Sequence, residues 1–191
     1  MNKVKETRNI RELRAINDEE MIIEGYAAVY NELADLGWFK EIITQGAFDG
    51  ADMSDCSLKY NHDSRFMSLA RTRNNSLMLI PDDKGLKIKA KLIDTTNNRD
   101  IYTMIKEGML DKMSFGFIVS EKEEEWNYET DTRTIKKFEK IFDVSIVEEP
   151  AYEGTSVYAR NKEQLEKEKE SYIKQKELNF EKEKLKLILS I

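Results

Sequence analysis

The sequence has few of the residues that form disulfides, bind metals or act as acid–base catalysts near neutral pH. Its 191 residues include one cysteine, Cys56, and one histidine, His62. A single cysteine excludes an internal disulfide and fits a reducing compartment. One cysteine and one histidine, at positions 56 and 62, do not form a recognisable set of metal ligands. We therefore expect neither a metal nor another cofactor.

Long apolar runs are also missing. No apolar stretch approaches the roughly 18 residues that a membrane helix needs, and residues 1–14 lack the apolar core of a secretory signal. The net charge is −6, which gives no general electrostatic support for nucleic-acid binding. These absences predict a soluble protein, cytosolic or encapsidated, with no membrane partner and no nucleic-acid partner.

Short apolar segments with the two-residue period of β-strands are present instead. Hydrophobic residues make up 40% of the chain, which is enough for a core. Residues 86–92 alternate apolar side chains with lysines, a pattern typical of a half-buried strand with one solvent-exposed face. Gly25 is predicted to form a bulge or kink in its strand. Further strands are predicted at residues 21–30, 38–43, 57–61, 66–72, 76–80 and 135–147, with 66–72 and 76–80 forming a pair and 135–147 broken near Lys140.

Helical patterns occur in the middle and at the end of the chain. Residues 98–107 follow a polar cluster that offers N-caps and end at Gly108, which suits a C-cap. From Asn161 lysine and glutamate dominate without proline or glycine, which favours a helix. We predict a domain over residues 1–160 and a charged helical tail over residues 161–191. The tail is either a solvated helix or a partner-binding one.

Ser114 lies in the segment KMSFGF at residues 112–117. If this segment is a strand, Met113, Phe115 and Phe117 point into a core, while Ser114 and Gly116 point to the other face. A glycine at that position allows another backbone to approach closely. A nucleophile needs such a rigid setting, because a misplacement of about 1 Å can cost about 100-fold in rate. The alternative is a serine on the solvent face of an ordinary strand.

A serine hydroxyl is a weak nucleophile near neutral pH and needs an adjacent base, most often an imidazole. His62 is the obvious candidate for that base, since it ends an apolar strand at a position where a side chain can face a cleft. Two alternatives stay open. His62 can be a surface histidine beside Asp63, or Cys56 can be the nucleophile, although free cysteines are usually buried and inert.

Six short segments of the sequence, taken in their order along the chain, resemble the prohead maturation proteases of tailed bacteriophages of the HK97 type. The resemblance covers residues 22–158, nearly the whole predicted domain. Each segment alone is weakly specific, but six in the right order are specific. The segments are GYAAVY at 25–30, EIITQGAF at 41–48, NHD at 61–63, GL at 85–86, MSFGF at 113–117 and DVSIVEEPAY at 143–152.

The resemblance implies a serine endopeptidase with an α+β, mainly β fold. The expected fold is like that of the herpesvirus assemblins: a closed or partly closed β-barrel with a few surrounding helices, here followed by the charged C-terminal helix. By resemblance His62 matches the histidine of NHD and Ser114 matches the serine of MSFGF. The partners it implies are the major capsid protein with its scaffolding segment and the protease itself, through autoproteolysis. A homo-oligomer is possible, and the location is the host cytoplasm, inside the phage procapsid.

The third catalytic residue cannot be a second histidine, which the related assemblins use, because the chain has only one. A carboxylate can replace it, since it can hold the imidazole tautomer and stabilise imidazolium. The family usually has glutamate-valine-serine on the strand after the serine strand, where this sequence has Asp143-Val144-Ser145. Strict alternation would direct Asp143 and Ser145 to one face and Phe142 and Val144 to the other.

Asp143 is therefore the expected third member, and the alternative is a structural aspartate paired with a nearby lysine. Glu148 and Glu149 are further candidates, although they lie at the end of the strand before Pro150. The oxyanion donors are backbone N–H groups or a basic side chain. A different class of function stays open: a non-catalytic, capsid-internal scaffolding or structural protein that retains the protease fold. The long charged tail favours that alternative in part, and the serine–histidine pair opposes it.

Overall fold

The computed structural model describes residues 6–11, 13–148 and 156–189. This part of the chain contains thirteen strands and two α-helices. The helices are α1 Thr96–Lys106 and α2 Ser156–Leu189. The strands are β1 Glu6–Arg11, β2 Arg14–Asn17, β3 Ile22–Val29, β4 Ala34–Asp35, β5 Lys40–Ile43, β6 Ser57–Tyr60, β7 Ala70–Arg71, β8 Leu77–Pro81, β9 Gly85–Lys91, β10 Lys112–Ile118, β11 Glu124–Asn127, β12 Thr132–Ile135 and β13 Lys140–Val147.

The strands form three sheets. The largest has five strands in the order β1-β10-β13-β6-β7. Within it β10 pairs antiparallel with both β1 and β13, whereas β13 and β6 run parallel. The other sheets have four strands each, in the orders β2-β3-β9-β8 and β11-β12-β5-β4. The segment with Ser114 is therefore an inner strand, and the strand that precedes His62 is separated from it by β13 alone.

The core is apolar on the faces that alternation predicts. Leu86, Ile88 and Ala90 of β9 are fully buried, and the intervening lysines of that strand are exposed or half-buried. On β10 the side chains of Met113, Phe115 and Phe117 are fully buried. The two phenylalanine rings belong to an aromatic cluster: Phe115 stacks on Phe117 at 5.0 Å between centroids and meets Phe48 and Phe138 edge to face, at 5.9 Å and 5.6 Å. Large apolar groups thus anchor β10 from below and fix the position of its opposite face.

The expected mainly β fold with a few helices and a C-terminal helix is confirmed. No closed barrel is found among the described residues, so that part of the fold stays a prediction. Helix α1 is close to its predicted bounds: the Thr95 hydroxyl caps it by accepting a hydrogen bond from the Asn98 N–H, and Gly108 follows at φ +72°. Neither described helix combines the length and the apolar character that a membrane crossing requires.

Two strand predictions were wrong in detail. The register of β3 against β9 shifts between Tyr26 and Ala28, so the bulge lies past Gly25. Residues 66–72 and 76–80 do not pair with each other: β7 joins β6, and β8 forms a hairpin with β9. The local apolar pattern predicts that a segment is extended, but the partner is chosen by contacts that are distant in sequence.

Helix α2 begins at Ser156, before the boundary predicted near Arg160. It contacts the turn between β11 and β12: the Tyr128 hydroxyl donates a hydrogen bond to Glu168, the Tyr128 and Tyr172 rings lie 5.5 Å apart, and Lys169 pairs with Asp131. Over residues 166–184, where its side chains are described, every residue except Lys169 is exposed. Lys169 and Asp131 are both partly accessible to solvent, and ion pairs in such settings contribute about 0–1 kcal/mol each, so these contacts hold the helix weakly.

Gly85 at the start of β9 is required because the neighbouring strand leaves no room for a side chain. A Cβ at this position would lie 2.0 Å from the carbonyl oxygen of Ala28 and 2.8 Å from the Cα of Val29. Both obstacles are backbone atoms of β3, which cannot rotate away. The glycine therefore allows β3 and β9 to approach at the end of their pairing.

Gly85→Ala is expected to lower the free energy of unfolding by about 3 kcal/mol, because β3 and β9 must separate to admit the methyl group. Gly50→Ala is the control, since Gly50 has φ +75° and open space around its Cβ position. Its free energy of unfolding should fall by only about 1 kcal/mol, which is the cost of placing a residue with a Cβ in a left-handed backbone conformation. Urea denaturation measures both, and equal losses would contradict the crowding argument.

Candidate active site

His62 lies on a tight turn that follows β6. Asn61 and His62 both have left-handed backbones, at φ +49° and +55°. That region is uncommon for residues with a Cβ, although asparagine and histidine enter it more readily than most. Two hydrogen bonds tie the turn to β13 and to the residue that follows it: the Asn61 N–H donates to Ile146 O at 2.8 Å, and the Glu148 N–H donates to the Asn61 side chain at 3.1 Å. The neighbouring strand thus supports the strained turn that carries the imidazole.

The His62 imidazole contacts Ser114 with one ring nitrogen. His62 Nε2 lies 2.7 Å from Ser114 Oγ, within hydrogen-bonding range. Ser114 is fully buried and lies on β10, directly opposite Ser145 of β13. Its side chain is therefore fixed by a strand that is paired on both edges.

The other ring nitrogen contacts Asp143. His62 Nδ1 lies 2.6 Å from Asp143 Oδ1. The side chain of Asp143 is 4% exposed, and that of His62 is 20% exposed. A buried carboxylate is costly unless it is paired, and here the imidazole provides the partner. All three residues that the sequence singled out thus meet, with the imidazole between the hydroxyl and the carboxylate.

A β-bulge shapes the carboxylate side of this arrangement. Gly116 is in register with Asp143, but the next residue, Phe117, is in register with Ile141, so Phe142 is the extra residue of the bulge. A Cβ on Gly116 would lie 2.5 Å from the Phe142 ring and 2.7 Å from Asp143 Oδ2. Phe142 and Asp143 therefore both approach Gly116.

The prediction that Phe142 faces the core together with Val144 was wrong. Phe142 is only half-buried, whereas Ile141 is fully buried and belongs to the core. An extra residue in one strand breaks the two-residue alternation at that point. The bulge allows Ile141 and Val144 both to reach the core while Asp143 stays on the face of Ser114.

Ser145 joins the site, although the sequence assigned it no role. Its Oγ lies 3.1 Å from His62 Nδ1 and 2.9 Å from Asp143 Oδ1, and the residue is fully buried. The signal that could have found it is the strand period: Ser145 is two residues after Asp143 and so shares its face.

Among the described residues, the hydrogen-bond contacts of the His62 ring are with Asp143, Ser114 and Ser145, and not with the runner-up residues Cys56 and Glu148. Cys56 is fully buried, and this burial, together with the nearby Asp143 charge, raises the pKa of its thiol to about 12. Such a thiol forms almost no thiolate near neutral pH, which argues against a nucleophilic role. Glu148 is exposed, and its carboxylate accepts a hydrogen bond from the Tyr60 hydroxyl. Glu149 and Pro150 lie outside the described residues.

This arrangement has the chemistry to activate a serine. An imidazole that donates Nδ1–H to a carboxylate presents the lone pair of Nε2 to its other neighbour. That lone pair can accept the proton of Ser114 Oγ as the oxygen attacks an electrophile. The carboxylate then stabilises the imidazolium that forms.

The comparisons with known proteins agree with this chemistry. The family model described as Caudovirus prohead serine protease matches residues 7–170 of the chain. The match includes all three strands of the site and the turn with His62. No curated protein and no solved structure matches the chain.

Proposed function

Since the chain belongs to the caudovirus prohead serine protease family, we propose that Ser114 is its nucleophile, with His62 as general base and Asp143 as the residue that orients the imidazole. The family assignment makes the protein a serine endopeptidase of phage capsid maturation and implies a capsid-protein substrate inside the procapsid. The observation that supports these roles is the pair of contacts on one imidazole, 2.7 Å to Ser114 Oγ and 2.6 Å to Asp143 Oδ1.

Catalysis begins when Ser114 Oγ attacks the carbonyl carbon of the scissile peptide and His62 Nε2 takes its proton. The tetrahedral intermediate collapses as the C–N bond breaks, and the imidazolium gives the proton to the leaving amine. The acyl group is then bound to Ser114 as an ester. A water molecule then attacks the carbonyl carbon of that ester while His62 takes a proton from the water. The C–O bond to Ser114 breaks, and Ser114 Oγ leaves with a proton from the imidazolium.

Asp143 acts through the imidazole in this scheme. Its carboxylate keeps the proton on Nδ1, so that Nε2 stays free to accept the serine proton, and it stabilises the positive ring. The burial of Asp143 favours this role, because a carboxylate shielded from water interacts more strongly with its partner. The single histidine of the chain means that no second imidazole can take this place.

The substrates we propose are the scaffolding segment of the major capsid protein and the protease itself, within procapsids in the host cytoplasm. The resemblance of the six sequence segments supports this assignment. We also propose that residues 1–160 form the catalytic unit and that residues 161–191 form a separable tail. The exposure of α2 and its few polar contacts to the β11–β12 turn favour a tail that is not part of the catalytic core.

Ser114→Ala and His62→Ala are each expected to lower cleavage of the phage's own major capsid protein by at least about 10⁴-fold, and the double variant should lose no more than either single one. Cleavage is followed on gels, with mass spectrometry of the products. Ser57→Ala is the matched control, because Ser57 is a buried serine on β6 that is in register with Asp143.

Robust cleavage by purified Ser114→Ala would refute the assignment of the nucleophile. If the unaltered chain leaves the capsid protein and itself intact, the non-catalytic scaffolding role takes the place of the proposed one. Unfolding curves of all variants show whether a loss of cleavage reflects a loss of fold.

Asp143→Asn should keep the fold and lower turnover by about 10⁴-fold, because an amide can hold the wrong imidazole tautomer. Asp143→Glu, which carries the residue usual in the resembling family, should retain substantial activity. The measurement is kcat on a peptide that spans a mapped cleavage site. Turnover of Asp143→Asn equal to that of the unaltered protein would show that Ser114 and His62 work as a dyad.

A further inference from the structure

We propose that Ser145 is a positioning residue that holds the His62 imidazole and the Asp143 carboxylate in one arrangement. It has the right contacts: its hydroxyl lies within hydrogen-bonding distance of both partners, 3.1 Å from Nδ1 and 2.9 Å from Oδ1. The inference rests on the proposed function of the other three residues. No part of that function assigns a role to Ser145.

The protons in this cluster fit one arrangement. An ionised carboxylate is an acceptor only, so in that state of Asp143 the 2.6 Å contact places a proton on His62 Nδ1. The Ser145 hydroxyl then donates its own proton to Asp143 Oδ1, and its oxygen accepts a share of Nδ1–H. If Ser145 instead donated to a bare Nδ1, the imidazole lone pair would face the carboxylate at 2.6 Å, which is repulsive. The hydroxyl therefore favours the tautomer whose Nε2 is free toward Ser114.

The position of Ser145 makes it suited to this task. It lies on β13 between Ser114 of β10 and Lys59 of β6, in register with both. Two neighbouring strands thus fix its backbone, and full burial restricts its side chain. His62 lies on a turn whose two hydrogen bonds to the β13 segment are both made by the preceding residue, Asn61. Ser145 therefore connects the rigid sheet to the His62 imidazole and restricts the orientation of that ring.

The geometry does not favour Ser145 as the nucleophile. It faces Nδ1, which the Asp143 carboxylate already occupies, whereas Ser114 faces the free Nε2. A proton leaving Ser145 would pass to the carboxylate and not to the base that must later protonate the leaving amine. Ser145 therefore acts on the reaction through His62 and Asp143.

The kinetic test compares Ser145→Ala with Ser145→Thr, which keeps the hydroxyl, and with Ser57→Ala as a buried-serine control. In Ser145→Ala, loss of the Ser145 hydrogen bonds should lower kcat about 10-fold, and KM should stay within about 2-fold of its value in the unaltered protein. Ser145→Thr should recover most of the loss, and Ser57→Ala should match the unaltered protein. An unchanged kcat, or a change confined to KM, would overturn the proposal.

A second measurement follows the exchange of the Nδ1 proton of the His62 imidazole and needs no peptidase activity. Because His62 is the only histidine, its ring nitrogens give an unambiguous nuclear magnetic resonance signal. In a Ser114→Ala background, adding Ser145→Ala should make the Nδ1 proton exchange with water about 10-fold faster, since one of its two acceptors is lost. Unchanged exchange would overturn the proposal. Ser145→Cys, which has a similar volume and a weaker donor, serves both tests if Ser145→Ala does not fold.

These two measurements separate the failure of this inference from the failure of the proposed function. If Ser114→Ala and His62→Ala leave cleavage intact, the proposed function is wrong, and the exchange rate still shows whether Ser145 holds the ring. If those variants abolish cleavage and Ser145→Ala changes neither kcat nor exchange, only the role of Ser145 is wrong.

Discussion

One imidazole has to reach across β13 to a hydroxyl on β10, and much of the surrounding structure serves that geometry. β6 runs parallel to β13 with Tyr60 in register with Ile146. A chain that continued straight would carry His62 beyond Ile146, away from Asp143. The left-handed pair Asn61 and His62 reverses it instead. The strain of this turn is sustained by its two hydrogen bonds, to β13 and to the residue that follows it. β13 is the strand that also carries Asp143 and Ser145.

Burial of the polar groups explains why these contacts are mutually dependent. Ser114, Asp143 and Ser145 are almost wholly removed from water, and an unpaired polar group there would cost about 1–3 kcal/mol. The aromatic cluster below β10 prevents Ser114 from moving toward the interior, and the bulge at Phe142 keeps Asp143 beside Gly116. These groups are hydrogen-bonded to one another, so the loss of one weakens the pairing of its neighbours as well as removing its own contacts.

The features that depend on local sequence could be predicted from the spacing of apolar residues and from composition. The alternation around Ser114 identified its anchoring residues correctly, and the composition after Asn161 indicated the C-terminal helix. The presence of a single histidine made His62 the only candidate base. Asp143 needed the family resemblance as well, because alternation cannot say which strands are neighbours. The bulge at Phe142 and the close approach at Gly85 could not be predicted, since each depends on the register of strands that are distant in sequence. The strand period placed Ser145 on the face of Asp143, but its contact with His62 depends on how β6 and β13 pair.

The central claim is that Ser114 Oγ is the nucleophile activated by the only imidazole of the chain. Covalent labelling tests it most directly: a fluorophosphonate phosphonylates the oxygen of an activated serine with loss of fluoride, and peptide mapping by mass spectrometry locates the adduct. We expect one adduct, on Ser114, and we expect it to be lost in His62→Ala. An adduct on Ser145 or Cys56 in place of Ser114, or labelling of Ser114 that does not depend on His62, would contradict it.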